Sequence, residues 1–196
     1  MTPAAESTGT LPATVMPSAR RLLADPTFWA VWGLALLVFV LDRVTKAWAE
    51  QVLAPVGSMP LAGEWLRFTY VRNTGVAFGL GAGKALPLVA ITLVALAMVG
   101  ALAFSARSRT WPRSIALGLI IGGAAGNLLD RARWGSVIDF VDFGFRRNWW
   151  PVFNAADSAI TVGVILFALT LLGESGGSHE RHAPAPDPSG GAGGAA

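Results

Sequence analysis

The sequence contains no cysteine, and its only two histidines, His179 and His182, lie in a polar stretch near the C-terminus. The first absence excludes disulfides, thiolate catalysis and cysteine-ligated zinc. The second leaves the body of the chain without a histidine-based metal site or catalytic triad. Charged residues are also scarce, at 14% where a soluble domain has about 25%. The 12 carboxylates are therefore the only obvious acid–base groups.

In place of charge, the chain has long apolar blocks. Of its 196 residues 53% are hydrophobic, and the mean hydropathy is +0.52. A helix needs about 20 apolar residues to cross a bilayer, and several blocks approach that length. We expect an all-α membrane protein with four transmembrane helices, at about 28–50, 85–105, 114–130 and 154–173.

The two ends of the chain differ from the apolar middle. Residues 1–26 are rich in Ala, Pro, Ser and Thr, and residues 174–196 are rich in Gly, Pro and Ala. Both tails are predicted to be disordered, which leaves residues 27–173 as a single four-span domain. A pI near 10.2 is typical of proteins that bind nucleic acid. Because the basic residues are scattered around the spans, we expect no nucleic-acid partner.

Two connections between the spans carry most of the remaining pattern. Within residues 60–82, Trp65–Val71 alternate with period two and predict a strand in a small β-cradle outside the bilayer. Asn73–Gly75 is a turn signal, and Val76–Leu80 fit a return strand. The other connection, residues 131–153, is predicted to be an external loop with a short helix.

Polar residues gather at one end of the predicted spans. Because neighbouring spans run antiparallel, the end of one span and the start of the next meet at the same membrane face. The residues concerned are Asp42 and Lys46 at the end of the first span, Asn127, Asp130 and Arg131 at the end of the third, Asn154 and Asp157 at the start of the fourth, and Asp139, Asp142 and the Asn73–Gly75 turn in the connections.

Most of these residues also have an ordinary structural explanation. Asp42 and Lys46 have the i, i+4 spacing of an intrahelical ion pair. Asp130 pairs naturally with the adjacent Arg131, and Asp142 is expected to be a solvated loop charge. Helix capping would account for three more residues, Asn127, Asn154 and Asp157. Polar groups inside membrane spans are nevertheless rare and usually functional, so their convergence favours a site.

Two kinds of chemistry suit such a layer of carboxylates. One is peptide hydrolysis by a carboxylate pair that shares a proton, in which Asp157 is one member. Its partner stays open among Asp139, Asp142, Asp130 and Asp42. The other is proton or ion transfer, in a small coupled transporter that uses Asp42, Asp130 and Asp157. A structural assembly subunit that packs through the glycine-rich third span is a third class of function.

Five short motifs resemble, in order and spacing, those of the lipoprotein signal peptidase family, also called signal peptidase II. The resemblance covers about residues 27–173. The motifs are DRVTK (42–46), RNTGVAFG (72–79), GGAAGNLLDR (122–131), VIDFVDF (137–143) and FNAADSAI (153–160).

The resemblance implies an aspartic endopeptidase of the bacterial inner membrane. Such enzymes remove the signal peptide of a prolipoprotein N-terminal to its diacylglyceryl-modified cysteine, with substrate lipid in the bilayer and with no metal or cofactor. Globomycin-type inhibitors block them. The implied topology has both termini in the cytoplasm and the site near the periplasmic face. The distribution of basic residues around the spans does not favour that orientation. We expect a monomer.

Carried over motif by motif, the resemblance assigns the catalytic roles to Asp139 and Asp157. It thereby names the partner that the residue pattern left open. Supporting or substrate-binding roles fall on Asp42, Lys46, Asn73, Gly75, Asn127, Arg131 and Asn154.

Overall fold

A computed structural model describes residues 19–63, 65–75, 85–105, 110–145 and 148–179. Helices dominate these ranges, and short strands fill the connections between them. The elements in chain order are α1 (Ala19–Leu23), α2 (Pro26–Trp48), β1 (Ser58–Ala62), β2 (Leu66–Asn73), α3 (Ala85–Phe104), α4 (Trp111–Trp134), β3 (Val137–Phe145), β4 (Asn148–Trp149) and α5 (Ala155–His179).

Among the described residues, four helical stretches are long and apolar enough to cross a membrane: Pro26–Leu53, Leu86–Phe104, Trp111–Trp134 and Ala155–Gly173. Their outward faces carry large apolar side chains that no protein group covers, as at Leu172, which is 69% exposed. In a bilayer these side chains would meet lipid instead of water. The expected fold class, a helical membrane protein with four spans and a small β element, is confirmed.

The first span is built from two kinds of helix. Asp25 caps the start of α2, because its side chain accepts a hydrogen bond from Thr27 N at 2.9 Å, and Pro26 occupies the first turn. At the far end a π-helical turn, Ala49–Leu53, continues directly from α2. This turn carries the chain from the bilayer to the small sheet.

Helix α4 is the centre of the bundle and packs closely against both α2 and α5. Two adjacent glycines make this possible. A β-carbon at Gly122 would lie 2.5 Å from the carbonyl oxygen of Ala35 in α2, and one at Gly123 would lie 2.5 Å from that of Ala156 in α5. Side chains at these positions would push the helices apart, as expected where small residues allow close contact between spans.

The strands form one antiparallel sheet in the order β1-β2-β3-β4. Arg67 pairs with Asp142 and Val71 with Asp139, and the register shifts between these pairs. The inner face of the sheet packs on the end of the first span. Its buried apolar cluster consists of Ala49, Leu53, Ile138 and Phe140.

One feature of the connections was predicted wrongly. The described part of residues 131–153 contains β3 and β4 and not a loop with a short helix. The apolar residues of β3 are β-branched or aromatic and suit a strand, but Asp139 and Asp142 interrupt the alternation that would reveal it. Strand β2 pairs with β1 and β3.

Other predicted features lie partly outside the described residues. The return strand expected at Val76–Leu80 falls outside them, as do residues 1–18 and 180–196 of the two tails. Within the described remainder of the tails, α1 is helical and α5 continues to His179.

We predict that Gly122→Ala lowers the thermal stability of the purified protein in detergent. The new methyl group meets backbone in α2, so the free energy of unfolding should fall by about 1–3 kcal/mol. Gly33→Ala is the matched control, because Gly33 is also helical and has no atom near its β-carbon position. That variant should be neutral or more stable, by up to about 1 kcal/mol. Equal losses in the two variants would contradict close packing at Gly122.

Candidate active site

Asp139 projects from β3 and is only 2% exposed. Its two carboxylate oxygens accept hydrogen bonds from different elements. Asn73 Nδ2, at the end of β2, donates to Oδ2 at 3.0 Å, and Asn154 Nδ2, just before α5, donates to Oδ1 at 2.7 Å. The carboxylate is therefore held by two amides, both of which act as donors.

Asp157 lies in the first turn of α5 and is tied to Asn154 through reciprocal capping bonds. Asn154 Oδ1 accepts from the Asp157 backbone N–H at 2.9 Å, and Asp157 Oδ2 accepts from the Asn154 backbone N–H at 3.1 Å. This is the geometry of a capping box. Asn127 Nδ2 from α4 donates to Asp157 Oδ1 at 2.8 Å. The capping role expected for Asn154 and Asp157 is thus present, and the same residues also contact the rest of the site.

Asn154 brings the two carboxylates together. Its side-chain oxygen is occupied by the cap, so its side-chain NH₂ group is free to face Asp139 and the carbonyl oxygen of Ile138. The residue is fully buried. Leaving such an amide unpaired would cost about 1–3 kcal/mol, so its position is fixed by the need to satisfy it.

A network of four buried or half-buried charges lies beside the pair, between α2 and α4. Arg43 donates to Asp42 at 2.7 Å and also to Asp130. Lys46 Nζ lies 3.0 Å from Asp42 and 2.8 Å from Asp130. Lys46 also donates to Asn127 Oδ1 at 2.7 Å, which connects the network to the carboxylate pair. Two cations and two anions balance, as the low polarity of a bundle interior demands.

Three of the structural explanations given for single residues were wrong. Asn127 does not cap a helix, because it lies inside α4 and its side chain contacts Lys46, Asn154 and Asp157. Asp130 does not pair with the adjacent Arg131; its partners are Arg43 and Lys46 from α2. Asp142 is not a solvated loop charge, because it is only 3% exposed and accepts hydrogen bonds from two residues of β2, Arg67 and Thr69. The expected Asp42–Lys46 pair is present as part of the larger network.

The turn after β2 closes the site on the side of the sheet. The Gly75 N–H donates to Asn73 Oδ1 at 2.9 Å, and Arg131 Nη2 from α4 donates to the Gly75 carbonyl oxygen at 3.2 Å. All nine residues predicted for the site are therefore connected: the carboxylate pair itself, five residues around it, and two more, Asp42 and Lys46, in the adjoining charge network.

Both carboxylates of the pair line a cavity of about 600 Å³. Its polar floor includes Asp139, Asp157 and Arg131, and its walls come from α3, α5 and the segment that precedes α5. The apolar wall residues include Leu88, Ile91, Trp150, Pro151, Val152, Phe153, Ile160 and Val162. A ligand with one polar and one apolar part would fit such a lining.

Burial raises the pKa of Asp139 to about 6, and the nearby Asp157 carboxylate adds to the rise. Hydrogen bonds from Asn73 and Asn154 and the charge of Lys46 oppose it. Near neutral pH, a pair of this kind can hold one proton between two carboxylates. One member is then available as a base while the other donates a hydrogen bond.

Two features of the site were not predicted from the sequence: the role of Arg43, and the hydrogen bonds that Arg67 and Thr69 donate to Asp142. Arg43 is adjacent to Asp42, but a helix places it on a different face, so the sequence gives no sign that it reaches Asp130. The pairing of Arg67 with Asp142 depends on the register of β2 against β3. Had β3 been predicted as a strand and aligned antiparallel to β2, the pairing of Arg67 with Asp142 could have been found.

The fold and the site define a multi-pass membrane protein with a carboxylate pair in a cavity between its spans. Residues 34–173 match the protein family described as Signal peptidase (SPase) II. The lipoprotein signal peptidase of Syntrophomonas wolfei subsp. wolfei is 47% identical over 143 residues, which are 72% of this chain and 91% of that protein. The lipoprotein signal peptidase of Moorella thermoacetica is 43% identical over 147 residues, 73% and 95% of the two chains.

A solved structure described as "Bacterial membrane enzyme structure by the in meso method at 2.3 A resolution" has the same fold. Its TM-score is 0.67 at 30% identity, over 78% of this chain and 92% of that one. A second, described in the same words at 1.9 A resolution, has a TM-score of 0.63 at 28% identity. The chain belongs to the signal peptidase II family.

We predict a carboxyl protonation step with a midpoint at about pH 6, visible as a protonated-carboxyl band in infrared difference spectra of the purified protein. The direction follows from burial, which disfavours the ionised form, so the band should be present below the midpoint and disappear above it. Asp139→Asn should remove this step. A titration with no carboxyl step above pH 5 would contradict the raised pKa.

Proposed function

We propose that this protein is an intramembrane aspartic endopeptidase that cleaves the signal peptide from prolipoproteins, N-terminal to the diacylglyceryl-modified cysteine. The observation that carries the proposal is the carboxylate pair, Asp139 and Asp157, joined through one buried Asn154 at the floor of a cavity with apolar walls. Membership of the signal peptidase II family supports the substrate class. It does not favour the transporter alternative.

The pair would act on one water molecule. The ionised carboxylate takes a proton from the water as its oxygen attacks the scissile carbonyl carbon. The protonated carboxyl group donates a hydrogen bond to the carbonyl oxygen, which becomes the oxyanion. When the tetrahedral intermediate breaks down, the C–N bond breaks and the carboxyl group that was protonated at the start gives its proton to the leaving amine; the other carboxyl group keeps the proton taken from water. Both Asp139 and Asp157 take part, and the pair titrates as a unit.

Polar groups around the pair would hold the peptide backbone. Arg131 donates from Nη2 to Gly75, while its buried Nε has no acceptor among the described residues. A carbonyl oxygen of the substrate is the natural acceptor at that position. Asn127 and Asn154 orient the carboxylates. Asn73 fixes Asp139 from the side of the sheet.

The apolar walls suit the lipid part of the substrate. Its acyl chains would remain in the bilayer and pass between α3 and α5, while the peptide lies under the sheet. We infer that the protein lies in the bacterial inner membrane as a monomer, with both termini in the cytoplasm and the site near the periplasmic face. Globomycin-type inhibitors should compete for the same cavity, and the reaction needs no metal or cofactor.

Substitution of either carboxylate tests the proposal. We predict that Asp139→Asn and Asp157→Asn each lower kcat/KM for a diacylglyceryl-modified prolipoprotein by about 100-fold or more, because each removes an acid–base group from the reaction. The measurement is cleavage by purified protein in detergent, with thermal unfolding to show that the variants remain folded.

Glu50→Gln is the matched control for these carboxylates. Glu50 is exposed, and its ion pair with Arg72 is exposed as well, so little activity should depend on it. Full cleavage by folded variants of both aspartates would contradict the mechanism. Solute or proton movement in liposomes without any peptide substrate would favour a transporter.

The absence of cysteine allows a clean test of orientation. We predict that Met59→Cys, in the exposed part of β1, reacts with a membrane-impermeant maleimide in intact spheroplasts. Arg21→Cys, in α1 before the first span, should react only after the membrane is opened. The reverse labelling pattern would contradict cytoplasmic termini.

A further inference from the structure

Lys46 is a buried cation close to the carboxylate pair, although it does not line the cavity. Its side chain is 2% exposed and lies within the network formed with Asp42, Asp130 and Arg43. Without Lys46, the two carboxylates and Arg43 would still form a charged cluster between α2 and α4. The contact that distinguishes Lys46 from Arg43 is the one to Asn127, at 2.7 Å.

That contact determines which way the Asn127 amide faces. An ammonium group has only donors, so the atom of Asn127 that faces Lys46 must be its oxygen. Asn154 Nδ2 also donates to this oxygen, at 3.1 Å. The Asn127 NH₂ group therefore points the other way and donates to Asp157 at 2.8 Å. If the amide were reversed, the Asn127 NH₂ group would face two other donors, Lys46 and Asn154. The Asn127 oxygen would then face the Asp157 carboxylate, so that two acceptors met.

We propose that Lys46 is a positioning residue for the reaction, because it fixes the Asp157 carboxylate through the side chain of Asn127. The inference rests on the proposed function. It assigns to Lys46 a role in catalysis and not only in holding α2 against α4.

The charged groups that face the pair among the described residues are few. Lys46 approaches from α2 and Arg131 from α4, while β2 and the start of α5 present only amides, those of Asn73 and Asn154. Removal of either cation should make the pair harder to ionise. For Lys46 this change should come together with a misplaced Asp157, because the Asn127 oxygen loses the shorter of its two hydrogen bonds and keeps only the one from Asn154.

The test compares Lys46→Met with Arg43→Met. Each removes one positive charge from the same network, but Arg43 makes no contact with the Asn127 side chain among the described contacts. We expect Lys46→Met to lower kcat by about 10- to 100-fold, as misplacement of a reacting group does, while KM changes less than about threefold. The low-pH limb of the kcat profile should move up by about half a pH unit. Arg43→Met should show a clearly smaller loss of kcat.

A second comparison tests whether Lys46 acts through Asn127. In an Asn127→Ala background the connection is already cut, so adding Lys46→Met should lower kcat by less than about twofold more. Full additivity of the two losses would overturn the proposal. So would equal effects of Lys46→Met and Arg43→Met on kcat and on the pH profile, because a purely structural role predicts that result.

Charge-balanced variants cover the case in which Lys46→Met does not fold. Asp42→Asn/Lys46→Met and Asp42→Asn/Arg43→Met each delete one anion and one cation, and they differ only in which cation remains. The first should have at least about tenfold lower kcat than the second; equal kcat values would overturn the proposal. Loss of cleavage in Asp139→Asn and Asp157→Asn, together with equal cation variants, would refute this inference and leave the proposed function intact.

Discussion

The site depends on the hydrogen bonds of one buried amide, that of Asn154. Its oxygen caps α5 and so fixes Asp157, while its NH₂ group contacts Asp139 on β3 and Asn127 on α4. Three elements from different parts of the chain therefore meet at a side chain with no exposed surface. An amide has one acceptor end and one donor end, and here each end has a different task. A side chain of similar shape without this division could not serve both carboxylates.

Throughout the site, the amide side chains turn their NH₂ groups toward the carboxylates, which accept the hydrogen bonds. Lys46 can only donate, so the Asn127 oxygen faces Lys46. The Asn127 NH₂ group then faces Asp157. Asn73 is ordered similarly, because its oxygen accepts from Gly75 N–H and leaves its NH₂ group for Asp139. Both carboxylates are thus surrounded by donors. Such surroundings partly offset the burial that raises the pKa of Asp139, and the site can then contain one proton instead of two.

Much of the fold could be predicted from local sequence. Hydropathy located the four spans, because a membrane helix must satisfy its own backbone and present apolar side chains to lipid along its length. The glycines of α4 allow close packing, and Gly122 and Gly123 lie against different neighbours, α2 and α5. Strand β3 was missed because Asp139 and Asp142 break its alternating pattern. The buried state of Asp142 could not be foreseen, since its partner Arg67 lies 75 residues earlier.

The sequence by itself determined that this is a four-span membrane protein whose polar residues collect at one end of the bundle, without cysteine or histidine chemistry in its body. These properties follow from composition and from patterns within single helices. Only the tertiary structure decided which carboxylates share a neighbour, because that depends on the register of β3 against β2 and on the contact of α4 with α5. From the residue pattern Asp157 had four possible partners. Of these four, Asn154 contacts Asp139, because β3 pairs with Phe153, the residue directly before Asn154.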